Sequence, residues 1–540
     1  MSLEARLAIE EFETLAKGII LRGYYRPGGE SGASLRKLMV LSKPALYPLA
    51  GDPDRVDAGA LKYVLMRLPD GIWSVRQITV AREIESEVAR DFDPVETRAR
   101  RRPTFRTGAE SYVTSFRGGM SDLLDFVSAL TCYQIESDKI RARYSAYRSK
   151  LAEDPALYSV WRALDAVSDG AAPPGEEDRK RLLHELSVEL RCDYGALKSL
   201  DQSLDGRLPE VIGCISRAHP RDLKVVFSDR FGLVGTYSRR AREWTASLVE
   251  AIGQLGLSGA PLHLVSSNTH SLVNVLSPWV GRRAAEAGMG GSPDYGALRR
   301  LLPGWSCEER MAEDRIAGIH HMSVAPGMPA CQIVDMSRID GSMADPRLGW
   351  NGRREGVIVN MDYAFGEEGF FIFNEIMEAL GGLIRSVFIV GKAGTLAGSR
   401  GDIMLPSFFV KQGSGEVYDI GNCLRPEDFA GLGDFEVITG GPMLTVAGTF
   451  LQNAEVLEYF RARWKALGVE MEGIPYAKAV RQAVLRGRLA EGVQTGIAYY
   501  ASDAPLSGDL LSEPMGERGV EPVYAVTLAV VRRMLAVRPG

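Results

Sequence analysis

From residue 222 onwards, apolar runs of strand length alternate with segments whose apolar residues recur every three or four positions. A chain with that alternation has few solutions. Each run buries on both faces and each amphipathic segment covers one face, so the strands lie side by side with helices packed against them. "LKVVFSD", "SRRAREWTASLVEAIGQLG" and "APLHLVSSNTHSLVNVLSPW" read as strand, helix and strand, a β-α-β unit with a right-handed crossover. "EGVIVNMDYAFGEEGFFIFNEIMEALGG" predicts strand, glycine-containing loop and helix, and "SVFIVGKAGTLAGSRGDIMLPSFFV" predicts strand, glycine loop and strand. The first part of the chain differs. "LEARLAIEEFETLAKGII", "SDLLDFVSALTCYQIESDKIRARYSAYRSKL" and "EEDRKRLLHELSVEL" carry helical spacing, and "SDGAAPPGEEDR" reads as a flexible connection. The expected organisation is a mostly helical region over 1–205, an α/β middle region over 206–345 and an α/β domain over 346–540. That last domain is a mixed central sheet flanked by helices, and 222–280 forms a separate β-α-β layer before it.

Length supports this division, since 540 residues exceed what one ordinary core can organise. The six cysteines are scattered without CxxC spacing, against a disulfide framework or a structural zinc site, and no metal or other cofactor is expected. His320 and His321 are adjacent on a predicted strand and face opposite ways, with no further ligand at metal spacing. The start "MSLEARLAIEEFETLAKG" mixes acids with apolar residues, unlike a signal peptide, and no apolar run reaches the roughly 18 residues of a membrane span. A cytoplasmic protein without membrane contact is the expectation. A net charge of -5 gives no global attraction to nucleic acid, and "RARRRPTFR" at 98–106 reads as a solvated loop or a subunit contact.

Three stretches near the carboxyl end hold chemistry. "YYASDAPLSGDLLSEP" puts Asp503 and Asp509 into a loop directly after an apolar run. In an open α/β sheet that is where ligands are held, although Asp, Pro, Ser and Gly are also ordinary turn residues. Gly391, Gly394, Gly398 and Gly401 fall within eleven residues, more than a turn requires, so close approach to their backbone is expected. "GVEMEGIP" places Glu470 and Glu472 around Met471 at the end of a short strand and directly before a helix, and the two carboxylates are expected to face different environments. In "VSSNTHSLVNVL", Asn268 and His270 stand where a strand gives way to a helix, able to cap it or to cradle an anion on free amides.

The order of a "GxAGxL...GDIMLP" loop, a "VEMEG" strand end and a "SDxPLSG" loop resembles the nucleoside phosphorylase and nucleosidase superfamily, and within it the AMP nucleosidases, over residues 350–540. The resemblance implies that Asp503 protonates a departing purine and that Glu472 binds the ribose hydroxyls with Met471 against the sugar. It also implies a pocket completed by Ser502, Gly391, Lys392, Ala393, Gly394 and Glu470, and a homo-oligomer in which "RARRRPTFR" or "SRRAREW" supplies cations to a neighbouring subunit. Three departures qualify it. Lys392 stands where the family has a small hydroxyl residue or a histidine, Ile389 where it has a phosphate-binding arginine, and "NMDYAFGEEG" carries Asp362, Glu367 and Glu368 where it has an anion-binding loop. Acids there repel free phosphate, which argues against phosphorolysis. Lys392 is a partner for a 5'-phosphate or an attacking oxygen, or a surface lysine at a turn.

The chemistry follows from the bond to be broken. Cleaving a ribosyl C–N bond passes through an oxocarbenium-like state, which needs an acid for the departing base and negative charge near the sugar. Asp503 crowded by Asp509 meets the first need, and Glu472 the second. The expected function is a purine nucleoside or nucleotide N-ribosyl hydrolase. The alternatives are a non-catalytic purine nucleoside- or nucleotide-binding regulatory protein, and a phosphorylase with an atypical anion site.

Overall fold

The apolar runs of the sequence become strands of two separate sheets. In the computed structural model the described residues are 3–82, 84, 90–99, 102–116, 119–150, 159–168, 175–219, 221–228, 234–289, 293–301, 307–325, 327–506 and 515–536. They fall into two units, one made of 1–233 with 447–456 and the other of 234–446 with 457–540.

In the first unit, helices Leu3–Arg22, Glu30–Ser42, Ala58–Leu65, Met120–Lys150 and Leu208–Arg217 accompany a sheet of which the sequence reading includes only the strand in "LKVVFSD". Its strands are β1 (Tyr24–Tyr25), β2 (Gln77–Ala81), β3 (Asp93–Pro94), β4 (Thr104–Gly108), β5 (Ser111–Ser115) and β6 (Lys224–Phe227), in the order β1-β6-β2-β5-β4-β3. Strands of two to five residues are too short for a two-residue period to stand out against helical surroundings. Segment 447–456 completes this unit. Phe450 packs edge-on against Tyr47 and Tyr63, and the Asn453 side chain donates to the carbonyls of Ser42 and Lys43.

The second unit holds β7 (Leu262–Ser267), β8 (Ile319–Met322), β9 (Cys331–Asp335), β10 (Val357–Asp362), β11 (Ile384–Thr395) and β12 (Ile403–Leu405). Further along come β13 (Phe408–Lys411), β14 (Val417–Asp419), β15 (Val437–Thr439), β16 (Met443–Thr445), β17 (Gly468–Glu470) and β18 (Gln494–Asp503). One mixed sheet joins all twelve. Its centre is β10, β7, β11 and β18, side by side and parallel, so their carboxyl ends share one edge. The β-α-β reading of 222–280 is corrected here. β6 pairs with β1 and β2 in the first sheet, β7 pairs with β10 and β11 in the second, and helix Val234–Gln254 between them belongs to the second unit. Alternation of apolar residues shows that a segment is a strand but not which sheet it joins.

Both faces of the central strands are apolar, as expected for parallel strands covered on each side. Val387, Ile389, Ile497, Tyr499 and Met361 pack with helices Val234–Gln254, Glu367–Leu380 and Gly473–Leu485. Phe388, Val390, Ala498 and Ile358 face the other way, toward helices Pro278–Glu286 and Val520–Ala536. Among the described residues no helix is long and apolar enough to cross a membrane. In the basic stretch 98–106 Arg106 is exposed, Arg98 is half-buried and Arg102 is buried. Arg98 pairs with Asp205, and Arg102 pairs with Asp122 beneath the rings of Phe116 and Phe126.

Candidate functional site

Register places Asp503 on one side of Gly394 and β17, the strand that leads to Glu472, on the other. At the carboxyl edge of the sheet Gly394 of β11 pairs with Asp503 of β18 on one side and, antiparallel, with Val469 of β17 on the other. Strands lie about 4.8 Å apart, so the Asp503 and Val469 backbones stand about 10 Å from each other across Gly394. Glu472 follows three residues after Val469, as the residue before helix Gly473–Leu485. The Asp503 carboxylate lies against the Gly394 backbone: a methyl group added there would sit 2.6 Å from Oδ1 and 2.8 Å from Pro505 Cγ. Asp509, the expected neighbour of Asp503, lies outside the described residues.

The two glutamates of "VEMEG" occupy different surroundings. Glu470 is 4% exposed, and its carboxylate accepts from Thr445 Oγ1 and from the backbone N–H groups of Glu472 and Gly473. The Tyr499 hydroxyl stands 3.5 Å away. Burial pushes its carboxyl up to about 6, against these hydrogen bonds. Glu472 is also buried but makes no side-chain capping bond to its helix. Its charge, after burial, helps to raise Tyr363, Tyr476 and Tyr499. Burial first, and then neighbouring groups that include the Glu470 and Glu472 carboxylates, hold Tyr363 and Tyr499 well above the ordinary phenol range. Both remain donors at neutral pH. The Tyr476 hydroxyl accepts from the Ala364 N–H at 2.9 Å and lies 2.9 Å from Ser266 Oγ, tying the β10 loop to β7.

These tyrosines were not legible as site residues. The doublet in "AYYA" carried the only signal, since alternation along β18 turns Tyr499 to the glutamate face and Tyr500 away. They also account for part of the glycine loop. A methyl group on Gly391 would meet Tyr499 at 2.7 Å and Tyr363 at 3.3 Å, and one on Gly398 would meet Ile438 and Asp402. The groups approaching these backbones are the chain's own side chains, and Gly391 to Thr395 are strand rather than loop.

The remaining expected residues are spread around this edge. Ser502 Oγ donates to the Ala393 carbonyl at 3.3 Å, and the Ala393 side chain is in the core. Met471 is half-buried between the glutamates. Lys392 is exposed and alternates to the face opposite Gly391 and Ala393. Ile389 is fully buried beside Ser266 and Ile497. Asn268 ends β7, two strands from β18, and its Oδ1 accepts the N–H groups of His270 and Ser271 at 3.1 and 2.6 Å, capping helix Ser271–Leu276. His270 is exposed at that helix start. Arg400 is a cation not anticipated from sequence: its Nε donates to the Ser502 carbonyl at 3.0 Å, beside Asp503. Among the described residues no group of three or more His, Cys, Asp or Glu side chains is arranged to hold a metal ion.

The chain belongs to the family described as "Family of unknown function (DUF6909)", whose model matches residues 33–287 and 304–536. No curated protein matches it in sequence. Among solved structures it is similar to the 5'-methylthioadenosine/S-adenosyl homocysteine nucleosidase of Campylobacter jejuni, at 11% identity and a TM-score of 0.33 over 51% of this chain and 99% of that one. The futalosine hydrolase of Helicobacter pylori matches at 11% identity and a TM-score of 0.30, over 51% and 97% of the two chains. A methylthioadenosine phosphorylase from an antarctic soil metagenomic library matches at 9% identity and a TM-score of 0.31, over 51% and 85%.

Proposed function

We propose that the second unit is a purine nucleoside or nucleotide N-ribosyl hydrolase. Asp503 delivers a proton to the departing base, and Glu472 holds the ribose hydroxyls and faces the positive charge that develops on the sugar. The observation that supports this reading is that Gly394, at the carboxyl edge of parallel strands, pairs with Asp503 on one side and on the other with Val469 of β17, the strand that leads to Glu472. Protonated tyrosines around Glu472 supply neutral donors that a sugar can share.

Water is favoured as acceptor over phosphate. Asp362 ends β10 and Glu367 and Glu368 form the first turn of the helix that follows, and Ile389 offers no charge to an anion. Incubation with AMP, adenosine, inosine and guanosine, with and without phosphate, tests the reading. Free base is expected from at least one of them, at a rate that phosphate does not raise. Glu472→Gln is expected to weaken binding and turnover together, because the same contact serves ground state and transition state. If Lys392 reads a 5'-phosphate, Lys392→Ala penalises AMP more than adenosine.

A further inference from the structure

A helix start leaves several N–H groups without partners inside the helix, and the residue before the helix is the usual one to accept them. Here that residue is Glu472, and its side chain makes no such bond. Glu470, two residues earlier, takes over the task. Its Oε2 accepts the Glu472 N–H at 2.6 Å and also the Gly473 N–H, while Oε1 accepts the hydroxyl of Thr445 from the neighbouring strand β16. Donors from β16 and from the helix start thus converge on one carboxylate that is 4% exposed, with the Tyr499 hydroxyl of β18 at 3.5 Å. The arrangement leaves the Glu472 carboxylate clear of the helix cap and ties the backbone beneath it to two strands.

We infer that Glu470 is the positioning residue of this site: it holds the 471–473 backbone so that Glu472 presents its carboxylate, and it does not touch substrate itself. The inference rests on the role proposed for Glu472, but its physical content is separate from it. Only an ionised carboxylate of this length offers acceptors on both oxygens. Glutamine would turn an amide N–H₂ toward donors on one side, and aspartate is one methylene short.

Two measurements on the full-length protein test it. In Glu470→Gln the amides of Glu472 and Gly473 are expected to exchange with solvent about ten-fold faster or more, while amides in the middle of helix Gly473–Leu485 keep their protection. Thr445→Val, which removes one donor to Glu470 and leaves the helix start intact, is expected to shift the same two amides in the same direction by less, and it serves if the first variant does not fold. Unchanged exchange at 472 and 473 in a folded variant overturns the inference. The second measurement is a double-mutant cycle on whichever nucleoside is turned over. If Glu470 acts through Glu472, then Glu470→Gln lowers kcat/KM by about ten-fold or more in the native protein and by less than about two-fold in a Glu472→Gln background. An equal loss in both backgrounds shows direct contact and overturns it. Failure of the native protein to bind or cleave any nucleoside counts against the role of Glu472 and leaves the exchange measurement to decide Glu470.

Discussion

At the scale of single residues the site is held by close packing, which makes its glycines the most direct probes. Gly394→Ala would place a methyl group 2.6 Å from the Asp503 carboxylate and 2.8 Å from Pro505. The acid has to move, so this variant is expected to lose at least about ten-fold in turnover with a stability change of about 1–3 kcal/mol, read by base release and urea unfolding. Gly391→Ala meets the Tyr499 ring at 2.7 Å and carries a similar cost in stability. Glu470 gives a pH prediction. Its carboxyl is raised to about 6 from 4.5, so its contribution to stability is fully present below 4.5 and is lost as pH rises through about 6. On the order of 2 kcal/mol should disappear between pH 4.5 and 7 from this group, and Glu470→Gln should flatten that part of the curve. Urea unfolding of both proteins at pH 5 and pH 7.5 checks it; an equal slope in the two would contradict it. Residues two apart on a strand share a face, so the different surroundings of Glu470 and Glu472 come from the strand ending at Glu470, with Glu472 standing before the helix. What their spacing could not say was that the inner one would cap the helix.

At the scale of elements, legibility followed length and burial. β10, β11 and β18 are six to twelve residues long, and their interiors are almost wholly apolar, so each stood out as a strand. The helices that cover them showed their period equally well. The sheet of the first unit did not, because sequences such as "QITVA" and "SYVTS" are half-exposed and surrounded by helix. The glycines of 391–401 were legible as places of close approach, but whether a ligand or a tyrosine approaches depends on β18 lying beside β11, which is a long-range fact. Element pairing also assigns 447–456 to the first unit, where Phe450 is 1% exposed against Tyr47 and Tyr63. Phe450→Ala is expected to destabilise that unit by about 3–5 kcal/mol, measured by denaturant unfolding. A loss below about 1 kcal/mol would show that the segment is only draped over its surface.

At the scale of the molecule, the chain leaves the second unit between β16 and β17, contributes 447–456 to the first, and returns. Residues 1–233 expressed alone therefore lack Phe450 and Asn453 and are expected to unfold at lower denaturant than the same unit in the full chain. Equal midpoints would contradict this. The same detour returns the chain at Gly468 to the edge where β18 ends, so that Asp503 of β18 and Val469 of β17, the strand that leads to Glu472, both pair with Gly394, where the proposed site brings Asp503 and Glu472 together. The most direct test of that meeting is release of free base by the native full-length protein and by Asp503→Asn, side by side, with nucleoside binding followed by calorimetry. Asparagine keeps the shape of the side chain but cannot supply the proton. The expected result is base released by the native protein and a rate lower by on the order of 100-fold or more in the variant, at nearly unchanged affinity. A variant as fast as the native protein, or tight nucleoside binding by the native protein with no base released, would contradict it.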